Sequence, residues 1–330
     1  MILILVFIIP GLDSHAGELI RMAFAHNSRR TYGSAVSKYL QFCTSYGIEP
    51  SSMNEDTFLR FIAAMSLQQL SIRTIKVYLA GIRAWCVAAG LPDPQIYSPR
   101  VRLALRALER INPLPSKVTP FTQFHLAKAL NVLSTNRDDM TLFCIMSMCY
   151  FGCMRASEIC FNPQVSPPVL RRNVAFYQGN PPSMEIRVGS SKTSPQGYTL
   201  VVGCTMLPTC ALCAVSSYIN IYQPHPDSPL FQLSNGSYPT YSWLKGALGR
   251  LTPRLGEQNA NFTPHSFRAG AATDAAARGC SSIFIKQLGR WKSEAYSGYI
   301  RPGRGDLSQM AGQLLRSVPP QSSPNHQYHV

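Results

Sequence analysis

Along the first third of the chain, apolar residues recur at helical spacing. Tyr32, Val36, Tyr39, Leu40 and Cys43 fall three and four residues apart, which predicts a helix capped by Ser28 and stopped at Gly47. Asn54 opens a second helix carrying Phe58, Leu59, Ile62 and Met65. Ser71 opens a third, with Ile75, Tyr78, Leu79, Ile82 and Trp85 on one face and Gly90 and Pro92 as its stop. A fourth is expected over residues 99–110. The stretch Asn112-Pro-Leu-Pro-Ser-Lys-Val-Thr-Pro120 has no apolar period and holds three prolines, so it reads as an extended linker.

Beyond the linker the period changes twice. Residues 121–133 and 138–153 read as helices. Residues 172–202 alternate and carry Gly-Asn-Pro-Pro and Ser-Pro-Gln-Gly turns, which predicts two or three short strands. Helical spacing returns over 207–222, 240–252, 264–278, 281–288 and 293–299. The chain is therefore expected to be mainly α with a small antiparallel β-sheet. Residues 27–112 would form a helical domain, 113–120 a linker and 121–302 an α+β domain. Residues 1–26 would be an extension of uncertain status and 303–330 a polar tail. No internal repeat is evident.

Composition narrows the partners. The 330 residues carry a formal net charge of +15, with 31 Lys and Arg against 16 Asp and Glu. Such an excess favours a phosphate polymer, because each neutralised phosphate releases counterions. Basic side chains stud the first helices, and Arg29, Arg30, Arg73, Lys76 and Arg83 are the candidate DNA contacts; a solvated helical face is the plainer reading of any one of them. The apolar start, Met1 to Ile9, is too short to span a bilayer, which takes about twenty residues, and lacks the basic lead of a signal peptide. Most of the ten cysteines sit in apolar helical runs, as buried thiols in a reducing compartment would. Cys204, Cys210, Cys213 and His225 include a Cys-x-x-Cys, but their outer spacings are irregular, and metal binding there is a minor reading.

Four stretches could carry chemistry. Arg155 follows the end of an apolar helix in Phe151-Gly-Cys-Met-Arg-Ala-Ser-Glu-Ile159; it needs a partner there, either Glu158 or an external phosphate. Lys192 lies in a turn between predicted strands, where most lysines are simply solvated. In Thr263-Pro-His-Ser-Phe-Arg-Ala-Gly-Ala, Thr263 is a good N-cap and Pro264 a good first helical residue. His265 and Arg268 would then share the first turn of a helix, an end that favours anions. The last stretch, Leu288-Gly-Arg-Trp-Lys-Ser-Glu-Ala-Tyr-Ser-Gly-Tyr-Ile-Arg301, places Tyr296 and Tyr299 on a short helix beside Arg290 and Trp291.

In this order, Arg, Lys, His-x-x-Arg, Gly-Arg-Trp and Tyr, the chain resembles the tyrosine recombinase (phage integrase) family over residues 27–302. His265-Ser-Phe-Arg-Ala-Gly-Ala and Leu288-Gly-Arg-Trp-Lys-Ser are most similar to the eukaryotic members carried by mobile elements. The resemblance implies a helical core-binding domain, a catalytic domain and metal-free, ATP-free strand exchange on double-stranded DNA. It also implies a homotetramer on two sites, a nuclear location and no small-molecule cofactor. It assigns the nucleophile to Tyr299, the phosphate clamp to Arg155 and Arg268, the leaving-group acid to Lys192 and proton transfer to His265. Glu158 would hold Arg155. The family's usual His or Trp, nine residues before the tyrosine, is Arg290 here, and Trp291 is the neighbouring alternative. Tyr296 is a rival nucleophile at a shorter spacing. A DNA-binding relative that no longer cuts, and a phosphodiesterase or topoisomerase-like enzyme acting on one duplex, would use the same residues.

Overall fold

The computed structural model describes residues 12–24, 26–111, 118–162, 168–189, 194 and 196–300. The chain divides into two compact units, Met1–Ser116 and Lys117–Val330. Among the described residues, the elements of the first unit are helices: α1 (Leu12–Met22), α2 (His26–Tyr46), α3 (Glu55–Leu67), α4 (Ile72–Ala88) and α5 (Pro99–Ile111). Asn54 Oδ1 accepts the Thr57 N–H at 2.9 Å and Ser71 Oγ the Thr74 N–H at 3.1 Å, so α3 and α4 begin at the polar residues that can satisfy their open amides. Ser28, in contrast, lies inside α2, which starts at His26. Helix α1 falls in the stretch expected to be an uncertain extension.

Four aromatic rings, Tyr39, Phe42, Phe58 and Phe61, meet inside the otherwise mostly aliphatic core of this unit. Tyr39 stacks on Phe58 at 5.9 Å and meets Phe61 edge-on at 5.7 Å, while its hydroxyl donates to Pro50 O at 3.2 Å. Helices α2 and α4 pack closely because Gly81 has no side chain; a Cβ there would lie 2.8 Å from Ala35 Cβ.

The second unit is built around α7 (Arg137–Phe151), in which every residue from Thr141 to Tyr150 is buried. A helix apolar on all sides is one surrounded by other elements. Its neighbours include α6 (Gln123–Val132), α8 (Ala156–Ile159), α9 (Ala211–Tyr222) and α11 (Ser266–Ala277), and the unit also holds α10 (Tyr241–Arg254) and α12 (Ser282–Gly289). Three antiparallel strands lie in the order β1 (Val174–Tyr177), β2 (Ser183–Val188), β3 (Tyr198–Gly203), with Ile186 paired to both Val174 and Leu200. Met184, Ile186 and Val188 are buried at every second position, the period of a sheet with one face on the core.

Several boundaries differ from the expectation, for local reasons. The 172–202 stretch opens with a 3-10 turn, Arg171–Asn173, before β1. Helix α9 starts at Ala211 instead of 207, with Cys210 as its N-cap. The helix expected over 138–153 stops at Phe151, since Gly152 caps it and the chain restarts as α8. Thr119, expected within the linker, donates to Asn261 O at 3.2 Å and accepts the Asn261 N–H at 3.0 Å, so it is pinned to the second unit. Residues 113–117 of that linker, residues 1–11 and the tail from 301 lie outside the described residues. Among the described residues, no helix is long and apolar enough to cross a membrane.

Candidate active site

The site is assembled where α7 ends. Cys153 takes a left-handed conformation, φ 44°, which a side chain normally avoids. This turn leads through buried Met154 to Arg155, at the N-cap of α8. Glu158 then folds back onto Arg155: Oε2 accepts the Arg155 N–H at 2.7 Å and Oε1 accepts Nη1 at 3.0 Å. The Glu158 side chain is 4% exposed, and the Arg155 side chain is 23% exposed, so the arginine keeps a face toward solvent. Of the two partners read for Arg155, the carboxylate is present, and the exposed face leaves room for a phosphate.

Arg268 enters from α11. It is 2% exposed; Nη1 donates to Cys153 O at 2.7 Å and Nη2 to Gly289 O at 2.6 Å. Arg290 enters from the end of α12, in a left-handed conformation of φ 53°. Its Nη2 donates to the same Cys153 O at 2.9 Å, and its Nη1 to Gly152 O at 3.1 Å and Leu288 O at 3.3 Å. Its Nη2 also lies 4.0 Å from Glu158 Oε2. Three guanidinium groups thus gather around one buried carboxylate and one carbonyl. Burial above all, then the Arg155 and Arg290 charges, pulls the Arg268 pKa below the ordinary arginine value. A cluster of this sign, with one carboxylate to balance it, is built to receive an anion.

His265 stands before the first turn of α11. Thr263 and Pro264 do not start the helix; they form a turn in which the Ser266 N–H donates to Thr263 O at 2.8 Å, and the helix begins at Ser266. The outer side of His265 is exposed. Packing on its inner side, then the Arg268 and Arg155 charges, lowers its pKa and holds the imidazole neutral. A neutral imidazole can take a proton, so His265 has the protonation state a base needs.

Both tyrosines pack on one small cluster of Ala272, Ala275 and Ile285, and they differ in their ring contacts. The Tyr299 ring lies 5.3 Å from that of Trp291, and the Arg268 guanidinium lies 4.8 Å over Trp291. Tyr299 O accepts from Thr273 Oγ1 of α11 at 3.3 Å. Glu294, near Tyr296 in sequence, pairs with Lys286 at 2.6 Å, and above all that bond holds its carboxyl below its ordinary range. Both tyrosines belong to a 3-10 helix and its end, Glu294–Gly298, within the short helix expected over 293–299. Lys192 lies outside the described residues. Its loop joins β2 to β3 at the pair Val188–Tyr198, and the Tyr198 ring carries the Arg290 guanidinium at 4.6 Å.

Three contributors escaped sequence reasoning. Cys153 supplies the shared carbonyl, and nothing in its type signals the left-handed turn. Tyr198 is the platform under Arg290, and in sequence it is one more alternating strand residue. Gly289 did carry a signal, the glycine before Arg-Trp: a Cβ there would lie 1.8 Å from the Trp291 ring. In the first unit Arg29, Arg30 and Arg73 are exposed on α2 and α4. Lys76 and Arg83, by contrast, are paired with Glu109 at 2.6 Å and Asp93 at 3.0 Å, which weakens both as phosphate contacts. Of the four residues read as a minor metal set, Cys204, Cys210 and Cys213 bring their sulfurs together; His225 is not in that group.

No protein-family model and no curated protein sequence matches the chain. Solved structures do. The Tn1549 transposon integrase in complex with transposon right-end DNA is 15% identical; the match covers 91% of this chain and 98% of that one at a TM-score of 0.61. The XerH site-specific recombinase bound to palindromic difH is 13% identical over 87% of this chain and 79% of that one, TM-score 0.58. A lambda integrase dimer bound to a core site is 13% identical over 88% and 76%, TM-score 0.57. At these identities the likeness is one of fold.

Proposed function

On the premise that this chain has the tyrosine-recombinase fold, we propose that it is a DNA strand transferase that cleaves and rejoins DNA through a 3′-phosphotyrosine bond to Tyr299. The observation that carries this reading is the convergence of Arg155, Arg268 and Arg290 on Glu158 and Cys153 O, with Tyr299 joined to Arg268 through Trp291. Each part has a physical task. In the reaction, the Tyr299 oxygen attacks the scissile phosphorus in line with the departing 5′ oxygen. The P–O5′ bond breaks as the P–O(Tyr) bond forms, and the new phosphodiester retains the energy needed for religation, so no ATP enters. Charge on the non-bridging oxygens falls to Arg155, whose guanidinium keeps a face toward solvent, and to Arg268, whose charge acts from a buried position. A guanidinium has about five N–H donors, and two of those of Arg268 hold backbone carbonyls, which fixes the orientation of the rest. Arg290 adds charge and braces the Cys153 turn. His265 accepts the tyrosine proton, and Lys192 supplies one to the leaving oxygen.

The same reading extends to integration of a mobile element, work in a nucleus and a homotetramer on two duplexes. The resemblance of the His265 and Gly289-Arg-Trp stretches to element-encoded recombinases supports these, while the excess of basic residues, 31 against 16, bears on DNA as the partner.

The direct test is a pool of duplexes randomised over the core and nicked beside it, so that the short 5′ fragment diffuses away and religation stops. Wild type is expected to accumulate a covalent protein–DNA adduct that survives denaturing electrophoresis. Tyr299→Phe is expected to remove it and Tyr296→Phe to keep it. An adduct that persists in Tyr299→Phe and is lost in Tyr296→Phe would overturn the assignment. No adduct with wild type, alongside retained DNA binding, would point to a relative that binds without cutting.

A further inference from the structure

Three cysteines that take no part in the arginine site share one corner of the second unit. Cys204 follows the end of β3, Cys210 is the N-cap of α9 and Cys213 lies in that helix's first turn. Cys204 Sγ is 3.7 Å from Cys210 Sγ and 3.9 Å from Cys213 Sγ, and all three sulfurs lie within 4.8 Å of one another. We infer that they are a zinc site, a three-thiolate cradle that fastens the end of the sheet to the start of α9.

The spacing is the first argument. Four ligands at about 2.3 Å around a tetrahedral zinc stand about 3.8 Å apart, which is the separation of the two closer pairs here. A disulfide would need sulfurs about 2.05 Å apart and would leave the third thiol without a role. The surroundings are the second argument. The Thr205 N–H points at Cys210 Sγ at 3.4 Å, and the N-terminal end of a twelve-residue helix favours negative charge, so the backbone offers stabilisation for thiolates. Met206 Sδ lies 3.5 Å from Cys204 Sγ, so a further soft atom stands beside the group. Exposure is the third. Cys210 is buried, Cys204 partly so and Cys213 exposed, so the group can be reached from solvent. Binding would displace the thiol protons to solvent with no change of oxidation state.

The sequence spacing argued against this group because Cys204 is separated from Cys210 by a turn of irregular length. The turn closes that distance by taking Met206 into the left-handed region, φ 55°.

The test uses the full chain purified under reducing conditions. Elemental analysis is expected to find about one zinc per chain, and to find about a tenth of that or less in Cys204→Ser and in Cys213→Ser. Cys280→Ser, outside the group, is expected to retain it. Replacement by cobalt is expected to give the thiolate-to-metal charge-transfer absorption and strong visible bands of a tetrahedral sulfur-rich site. Unchanged zinc content in folded Cys213→Ser would overturn the inference. So would a wild type that takes up neither zinc nor cobalt, or one whose metal-free form carries a disulfide between two of the three under the same reducing conditions.

Discussion

At the residue scale, Arg268 decides most. It is the most deeply buried of the three guanidinium groups, and both of its terminal nitrogens already hold carbonyls. Arg268→Lys keeps a charge but loses the planar fork, so adduct formation on the nicked duplex is expected to fall by about a hundredfold or more, the scale of losing one oxyanion donor. A thermal melt of the same variant separates this from unfolding. His265 sets the pH response. Its pKa is lowered by burial and by Arg268 and Arg155, so it is neutral at and above pH 7 and charges only in acid. A base works while neutral. The acid limb of kcat/KM, which reports the free enzyme, is therefore expected below the ordinary histidine value of about 6.5. His265→Gln is expected to lose that limb; a limb that stays in place would assign it to another group.

At the element scale, the site depends on close approaches that glycines allow. A Cβ on Gly270 would lie 1.9 Å from Phe121 O, backbone that cannot rotate away, so α11 would have to shift from the segment leading into α6. Gly270→Ala is expected to cost about 3 kcal/mol or more in denaturant unfolding, the upper range for overpacking. Gly289→Ala meets the Trp291 ring instead, which can move. Its expected signature is a modest stability loss of about 1–2 kcal/mol with a larger loss of cleavage, because Trp291 stands between Arg268 and Tyr299. These packing facts show what was legible in the sequence. The periods were, and some of the caps: Asn54 and Ser71 start helices where their side chains can meet open amides, Ser28 and Thr263 do not, and the alternating stretch holds the sheet. The order of the candidate residues was legible too. What escaped depended on long-range geometry. A left-handed Cys153, a Tyr198 platform and a helix that waits until Ser266 are set by what packs around them, and single residue types do not encode that. The cysteine group escaped for the same reason, since a turn and not a fixed spacing brings the sulfurs together.

At the scale of the whole molecule, charge is the reading that reaches furthest from the site. With a formal net charge of +15, DNA affinity is expected to fall steeply with salt. Arg29→Ala and Arg73→Ala are each expected to lower the slope of log affinity against log salt by about one, measured by fluorescence anisotropy on a duplex. Lys76→Ala and Arg83→Ala are expected to change it less, because Glu109 and Asp93 already partner them. Slopes that respond equally to all four would contradict the distinction drawn from those ion pairs. The central claim is chemical, however, and one measurement meets it head on. The covalent adduct formed by wild type on the nicked duplex is digested with nuclease and protease, and the peptide that carries the residual nucleotide is sequenced by mass spectrometry. The nucleotide is expected on the Tyr299 hydroxyl, through its 3′ phosphate. Its attachment to Tyr296, to a serine or through a 5′ phosphate would contradict the account.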